Sequence, residues 1–383
     1  MTPDKTVKPS ASDVKMPKAD PRAAVEWVLS LGGTVSYRGK TSANIFAIKD
    51  IPDDGSVLVA VDLTKAKLKA EVTDADIMKL AGLNSLEGLT LRDLTLSDEG
   101  MRPLQTLTGL TSLTLTGVPV TDAVLPFIKP LKQLKVLEIA NTRSFKGHTF
   151  DQLADLPIFS LRLSSSGVDD ESLPGIMKIK SVGSLNLRET AVSDDGMPSL
   201  KKSSLLRTLS LGGSAVTSNG LAALKGSSIK ELNWGKNADA LRAALDEVAK
   251  SFPKLQLIWL PTEGVYSADD MKKLGKVFPE LKAIECNGGT MPDDACEALT
   301  EIKTLDQIRL LSRAITARTV AALIQVKNLS VLNLNDGKMD DELLAQLTAI
   351  KTLKELSLSK VTGITDAGIA AFKKARQDVK VAR

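Results

Sequence analysis

Leu110-Thr111-Ser112-Leu113-Thr114-Leu115-Thr116-Gly117-Val118-Pro119-Val120-Thr121-Asp122 decides the fold. Leu113 and Leu115 alternate with polar neighbours, which is the two-residue period of a strand with one buried face. Thr116 to Pro119 reads as a turn, and Val120 dips back toward the core. Leu125, Ile128 and Leu131 then follow at helical spacing. Thr121 stands where a helix N-cap is needed, and Asp122 in the first turn complements the positive end of the helix dipole. The stretch therefore predicts strand, turn, short helix and return. Neither element can bury its apolar side alone.

The same pattern of an apolar residue, two variable ones, an apolar residue, one variable and an apolar residue recurs down the chain. Copies begin at Leu86, Leu110, Leu134, Ile158, Val182, Leu206, Ile229, Leu255, Leu281, Leu305, Leu329 and Leu353. The step is about 24 residues, and self-similarity at such a period indicates a solenoid. Leu58, Val61 and Leu63 supply an earlier, atypical copy, which Val72-Thr73-Asp74 continues after a longer turn. The predicted fold is α/β: a solenoid of about thirteen repeats, with a parallel sheet on its concave face and helices on its convex face. The repeats beginning at Ile229 and Leu255 are longer, and the longest helix is expected from about Ala238 to Phe252, ended by Pro253.

Helix starts repeat as well. Ser97-Asp98, Ser193-Asp194 and Thr365-Asp366 introduce the helices carrying Met101, Met197 and Ile369. The run Thr365-Asp366-Ala367-Gly368-Ile369 resembles the bacterial leucine-rich repeats with an Ile-Thr-Asp-x-Gly-Leu signature, akin to the cysteine-containing class. The resemblance covers roughly residues 57 to 383. It implies a horseshoe and a recognition scaffold, and is nearly silent on the partner. The turn position often held by Asn or Cys in that family reads Thr142, Ser166, Thr190, Ser214 and Asn237 here. Small hydroxyls there can satisfy turn backbone groups by local hydrogen bonds.

The composition, 43% apolar and 25% charged, is that of a folded soluble chain, and a solenoid can grow by addition beyond ordinary domain size. Residues 1–19 carry almost nothing large and apolar and are expected to form a disordered tail or linker. Asp20-Pro21 starts a helix with Val25, Val28 and Leu29 on its apolar face and Trp27 at the edge, and Gly32-Gly33 ends it. Short strands are expected near Val35–Tyr37 and Ile45–Ile48. Residues 20–57 thus read as an N-terminal cap, with Trp27 in its core, and 58–383 as the solenoid. The half repeat at Asp378 to Val381 reads as a natural C-terminus. No apolar stretch is long enough to span a membrane, and no signal-peptide pattern follows Met1. A cytoplasmic location is the expectation. An exported or periplasmic chain whose signal had been removed would look the same.

Candidate chemistry is sparse. His148, the only histidine, sits between Gly147 and Thr149 with no nucleophile motif nearby, which argues against a catalytic triad and against the usual zinc sites. Gly39-Lys40-Thr41 looks like the end of a phosphate-binding loop. However, the glycine required earlier falls at Thr34, and a strand pattern rather than a helix follows. Cys286 and Cys296 both take core positions of one repeat, as free thiols or, alternatively, a disulfide. The pairs Asp169-Asp170, Asp194-Asp195, Asp269-Asp270, Asp293-Asp294 and Asp340-Asp341 look like calcium ligands but lie at helix starts, where carboxylates cap. Lysines gather at helix ends, among them Lys129, Lys178, Lys201, Lys254, Lys303 and Lys351. One rim is thus expected to be acidic and the other basic, with a net charge of only +4. Lysine dominance without interleaved aromatics speaks against nucleic acid. No cofactor and no metal is expected.

The second, fourth and sixth residues after each start should face out of the sheet. Up to Ile229 they are mostly small and polar. Then Glu231, Leu257, Trp259, Glu285, Arg309 and Leu311 come together on neighbouring strands, the composition of a binding hot spot. Private packing of Trp259 over the sheet is the alternative. The reading is a non-enzymatic scaffold, expected to be a monomer, that binds a protein or peptide on its concave face. Its competitors are a regulatory or substrate-recognition module of an enzyme or signalling assembly, and a glycan- or anion-binding protein.

Overall fold

The computed structural model describes residues 19–311 and 314–383, so the expected tail lies, apart from Ala19, outside the described residues. The chain forms two compact units. One holds the residues up to Arg162 with Lys178–Ser181, the other Leu163–Met177 with Val182–Arg383.

The first unit opens with helix α1, Pro21–Ser30. The Asp20 carboxylate accepts the Ala23 N–H at 3.0 Å, and Pro21 occupies the first helical position, where no N–H is needed. Ala24, Val25, Val28 and Leu29 are buried. Strand β1 (Thr34–Arg38) pairs antiparallel with β2 (Asn44–Ile45) on one side and β3 (Val57–Thr64) on the other. From β3 onward the strands are parallel: β4 (Gly88–Arg92), β5 (Ser112–Thr116), β6 (Val136–Ala140) and β7 (Ser160–Arg162). Register aligns Leu89, Leu113, Leu137 and Leu161 in one buried row and Leu91, Leu115 and Ile139 in the next.

The second unit repeats the plan with β8 (Ser184–Asn186), β9 (Thr208–Ser210), β10 (Glu231–Asn233), β11 (Leu257–Leu260), β12 (Ala283–Cys286), β13 (Gln307–Leu310), β14 (Val331–Asn333), β15 (Glu355–Ser357) and β16 (Lys380–Ala382). From β9 onward each is parallel to the one before it. One strand and one return element per repeat, with leucine rows between them, make this an α/β leucine-rich repeat solenoid.

The return elements differ from the uniform short helices that the spacing predicts. In the first unit they are tight 3-10 segments such as Glu99–Thr106 and Phe150–Leu153, or a 3-10 turn leading into one α-turn, as at Asp122–Val124 and Leu125–Ile128. A 3-10 segment rises about 2.0 Å per residue against 1.5 Å in an α-helix, so it covers the same distance with fewer residues. Where the repeats lengthen, full helices appear: α2 (Ala238–Ser251), then α3 (Ala268–Val277). In the last repeat Arg376 stands where Phe252, Phe278, Val326 and Ile350 stand in others. Its guanidinium donates to the carbonyls of Ile350 (2.6 Å) and Leu353 (2.9 Å) and pairs with Asp378.

The hydroxyls expected to serve the turns do so. Ser166, Thr190 and Ser214 are buried and donate to the carbonyls of Leu163, Leu187 and Leu211 at 2.6–2.7 Å. Asn237 is the exception. In its longer repeat it has moved out of the turn and caps α2, accepting the Ala240 N–H at 2.9 Å.

The acidic pairs carry a second role beyond capping their own helices. Asp170 accepts both the backbone N–H and the hydroxyl of Ser193, the cap of the next repeat, at 2.8 and 2.6 Å. Asp194 holds Thr217 in the same way, Asp74 holds Ser97, Asp98 holds Thr121, and Asp341 holds Thr365. Glycine completes the device: a Cβ on Gly196, Gly220 or Gly368 would come within 2.1–2.3 Å of the preceding repeat's Asp oxygen. The Thr-Asp-x-Gly wording is thus a repeat-to-repeat clasp.

Candidate functional site

Strands β10 to β13 place the predicted cluster on the open face of the second unit's sheet. Asn233, Trp259, Glu285 and Arg309 are cross-strand partners in one row, and Glu231, Leu257, Ala283 and Gln307 form the row beside it. Neighbouring strands lie about 4.8 Å apart, so these side chains touch or nearly touch. Leu257, Trp259, Arg309 and Leu311 are half-buried.

Glu285 differs from the rest. Although it points away from the leucine core, it is only 7% exposed. Its carboxylate accepts from Arg309 Nη1 at 2.9 Å and from Asn287 Nδ2 at 2.6 Å. A carboxylate can be withdrawn from water only with such partners, and here two donors hold it. Arg309 is thereby fixed while 40% of its side chain stays open. Glu231 lies at the margin and accepts the Thr208 hydroxyl at 2.8 Å, on the side away from Trp259.

The structure therefore brings Leu257, Trp259, Glu285 and Arg309 onto three adjacent strands, with Leu311 just beyond the end of β13. It adds Asn287, which the sequence reading missed. Asn287 stands two residues after Glu285 in the same outward alternation, and that spacing was the available signal. Its Oδ1 is buried and has no hydrogen-bond partner.

Other flagged residues sit elsewhere. His148 is exposed just before the 3-10 segment Phe150–Leu153. Gly39-Lys40-Thr41 lies between β1 and β2, with the Thr41 hydroxyl bonded to Asp54 at 2.7 Å. Cys286 and Cys296 are buried free thiols. Trp27 is half-buried on α1, with the Lys79 ammonium 5.0 Å from its ring centroid. Trp234 takes a core leucine position, 6% exposed, and donates its indole N–H to the Val216 carbonyl at 2.9 Å. No helix among the described residues is long and apolar enough to cross a membrane.

No family model matches the sequence, and no curated protein matches it. Among solved structures, the chain is similar to an internalin from Listeria monocytogenes at 18% identity, with 95% of this chain and 94% of that chain covered and a TM-score of 0.45. It is also similar to a leucine-rich repeat protein of Leptospira interrogans at 16% identity, covering 84% of this chain and 82% of that one with a TM-score of 0.40.

Proposed function

We propose that the chain is a non-enzymatic interaction scaffold that holds a protein or peptide against the open strand face of β11 to β13. The observation that carries this reading is the half-buried Trp259 next to a buried Glu285 that fixes the guanidinium of Arg309 on the following strand. A partner would lose little side-chain freedom on the scaffold's side, because the sheet and the ion pair are already set. Trp and Arg in such a setting are the residue types that dominate binding energy. On this reading the protein is a monomer that uses no cofactor or metal and does not engage nucleic acid. The repeats are of the cysteine-containing-like type, residues 20–57 cap the first repeat, and the site of action is cytoplasmic.

The test is capture from an extract of the source cells with wild type and Trp259→Ala as baits, followed by calorimetry with the identified partner. Trp259→Ala should weaken binding at least about tenfold, and Thr114→Ala should leave it nearly unchanged. Equal affinities for the two variants would overturn the placement.

A further inference from the structure

The outward row two residues beyond the Trp259 row contains a gap. Just past the C-terminal ends of β8 to β11 it reads Arg188, Gly212, Gly235, Pro261. Two adjacent strand ends thus present no side chain between an arginine and a proline. Below them is a cavity of about 290 Å³, which Asn233, Lys236 and Glu263 also line. The first glycine is required: a Cβ on Gly212 would lie 2.4 Å from Asn233 Oδ1, which accepts the Gly212 N–H at 3.1 Å. Gly235 adopts a φ of 94°, a backbone conformation that side-chain-bearing residues avoid. The gap is therefore part of how these turns are built.

The charges around it are unequal in their commitments. Among the described residues, neither the Arg188 guanidinium nor the Lys236 ammonium has a hydrogen bond or an ion pair. Glu189, on the rim, accepts the Ser165 hydroxyl at 2.7 Å. Arg188 is half-buried, whereas Lys236, Glu189 and Glu263 are exposed. The most sheltered charge is thus a half-buried guanidinium left open to a ligand, whose planar fork matches a carboxylate.

We propose that this cavity is a carboxylate-binding subsite, taking either an acidic side chain or a C-terminal carboxylate of a peptide. It deepens the scaffold reading, and rests on it only in the inference that the same bound chain crosses Trp259, since Pro261 and Asn233 connect the two places. The two rim glutamates weigh against a dianionic phosphate and in favour of a single negative charge.

The experiment follows the backbone amide signals of Gly212, Gly213 and Gly235 by NMR in the full chain. N-acetylglycine serves as a terminal carboxylate, N-acetylglutamate methylamide with its C-terminus blocked as a side-chain carboxylate, and N-acetylglycinamide as the uncharged control. At least one carboxylate should shift these amides with a dissociation constant on the order of millimolar, and which one does so identifies the source. Arg188→Gln should weaken the effect at least about tenfold and Lys236→Gln, at an exposed position, about two- to fivefold. No shift with either acid, an equal shift with the uncharged amide, or full retention in Arg188→Gln would overturn the proposal. Trp259→Ala should leave these small-probe shifts intact. A scaffold reading that fails with the glycine shifts present is thereby told apart from a subsite that is absent.

Discussion

Each unit carries the same three-strand motif on its open face, and the two copies differ at one decisive residue. In the first unit the row is Thr114, Glu138, Arg162; in the second it is Trp259, Glu285, Arg309. Both glutamates pair with the arginine of the next strand, and both take a further hydrogen bond, from Thr116 in one case and Asn287 in the other. With threonine as neighbour the pair is 3.4 Å apart and its side chains are 16% and 53% exposed. With tryptophan as neighbour it is 2.9 Å apart and 9% and 40% exposed. A repeat period readily produces charge pairs on adjacent strands, and a solvated pair contributes little by itself. The apolar neighbour makes the second copy a candidate site, because it combines a fixed cation with surface that gains by leaving water.

The comparison presumes that the same core lies beneath both motifs, and that can be broken most forcefully. Leu137 and Ile284 occupy the same position in their repeats and are both fully buried. Leu137→Ala and Ile284→Ala should each destabilise the protein by roughly 2–5 kcal/mol. Denaturant titration measures this, and a loss below about 1 kcal/mol at either residue would show that the two cores are not equivalent.

A smaller effect belongs to the clasp between repeats. Gly220→Ala would press a methyl group against Asp194, which already holds Thr217, and should cost about 1–3 kcal/mol. In a double-mutant cycle, Asp194→Ala should remove most of that penalty; strictly additive losses would mean that the clash is relieved elsewhere. Acid should loosen the clasp too. Hydrogen bonds from the Thr365 hydroxyl and backbone hold Asp341 below the ordinary carboxylate range. Its contribution is therefore present above the unfolded value, about pH 4, and lost as the pH falls through the lower folded value.

The leucine rows were legible because burial repeats with the strand period, and Leu113 and Leu115 can face only one way once one of them is inside. The clasp was not. Asp170 is adequate as a helix-start residue in its own repeat, and nothing in a single repeat shows that it reaches Ser193 in the next. The 3-10 returns were hidden for a related reason: spacing at Leu125 and Ile128 suits either helix type, and repeat length does not separate them, since Ala317–Gln325 is an α-helix in a repeat of the same step. On the open face the sequence placed Trp259 and Arg309 together, since register follows from the period. It could not show that Glu285 would be withdrawn from water, because that depends on Asn287 and Arg309 closing over it.

The comparison is sharpened directly by exchange at its differing position. Trp259→Thr should leave the Glu285–Arg309 pair in place but give it the solvation of its counterpart, with stability changed by less than about 1 kcal/mol and partner affinity reduced at least about tenfold. Calorimetry and denaturant titration on the same sample separate the two. Affinity retained with threonine at this position would shift attention from the tryptophan to Leu257 and Leu311.

The smallest expected effect is none at all. The recurring aspartates invite a test with calcium, magnesium, a chelator and ATP, each followed by melting temperature. A ligand that binds only the folded chain must raise that temperature as its concentration grows. Asp74, Asp98, Asp170, Asp194 and Asp341 each already accept a backbone N–H and a hydroxyl from the next repeat at 2.5–2.9 Å. A cation would have to displace those donors, and so open the clasp, before it gained a ligand. The loop at Gly39-Lys40-Thr41 leads into β2, so no helix N-terminus stands behind it to receive a phosphate. The melting temperature should therefore stay constant across all four additions. A reproducible rise with calcium would mean that the aspartates of at least one repeat prefer metal to their serine or threonine, and Ser193→Ala, which frees Asp170, should then enlarge the rise.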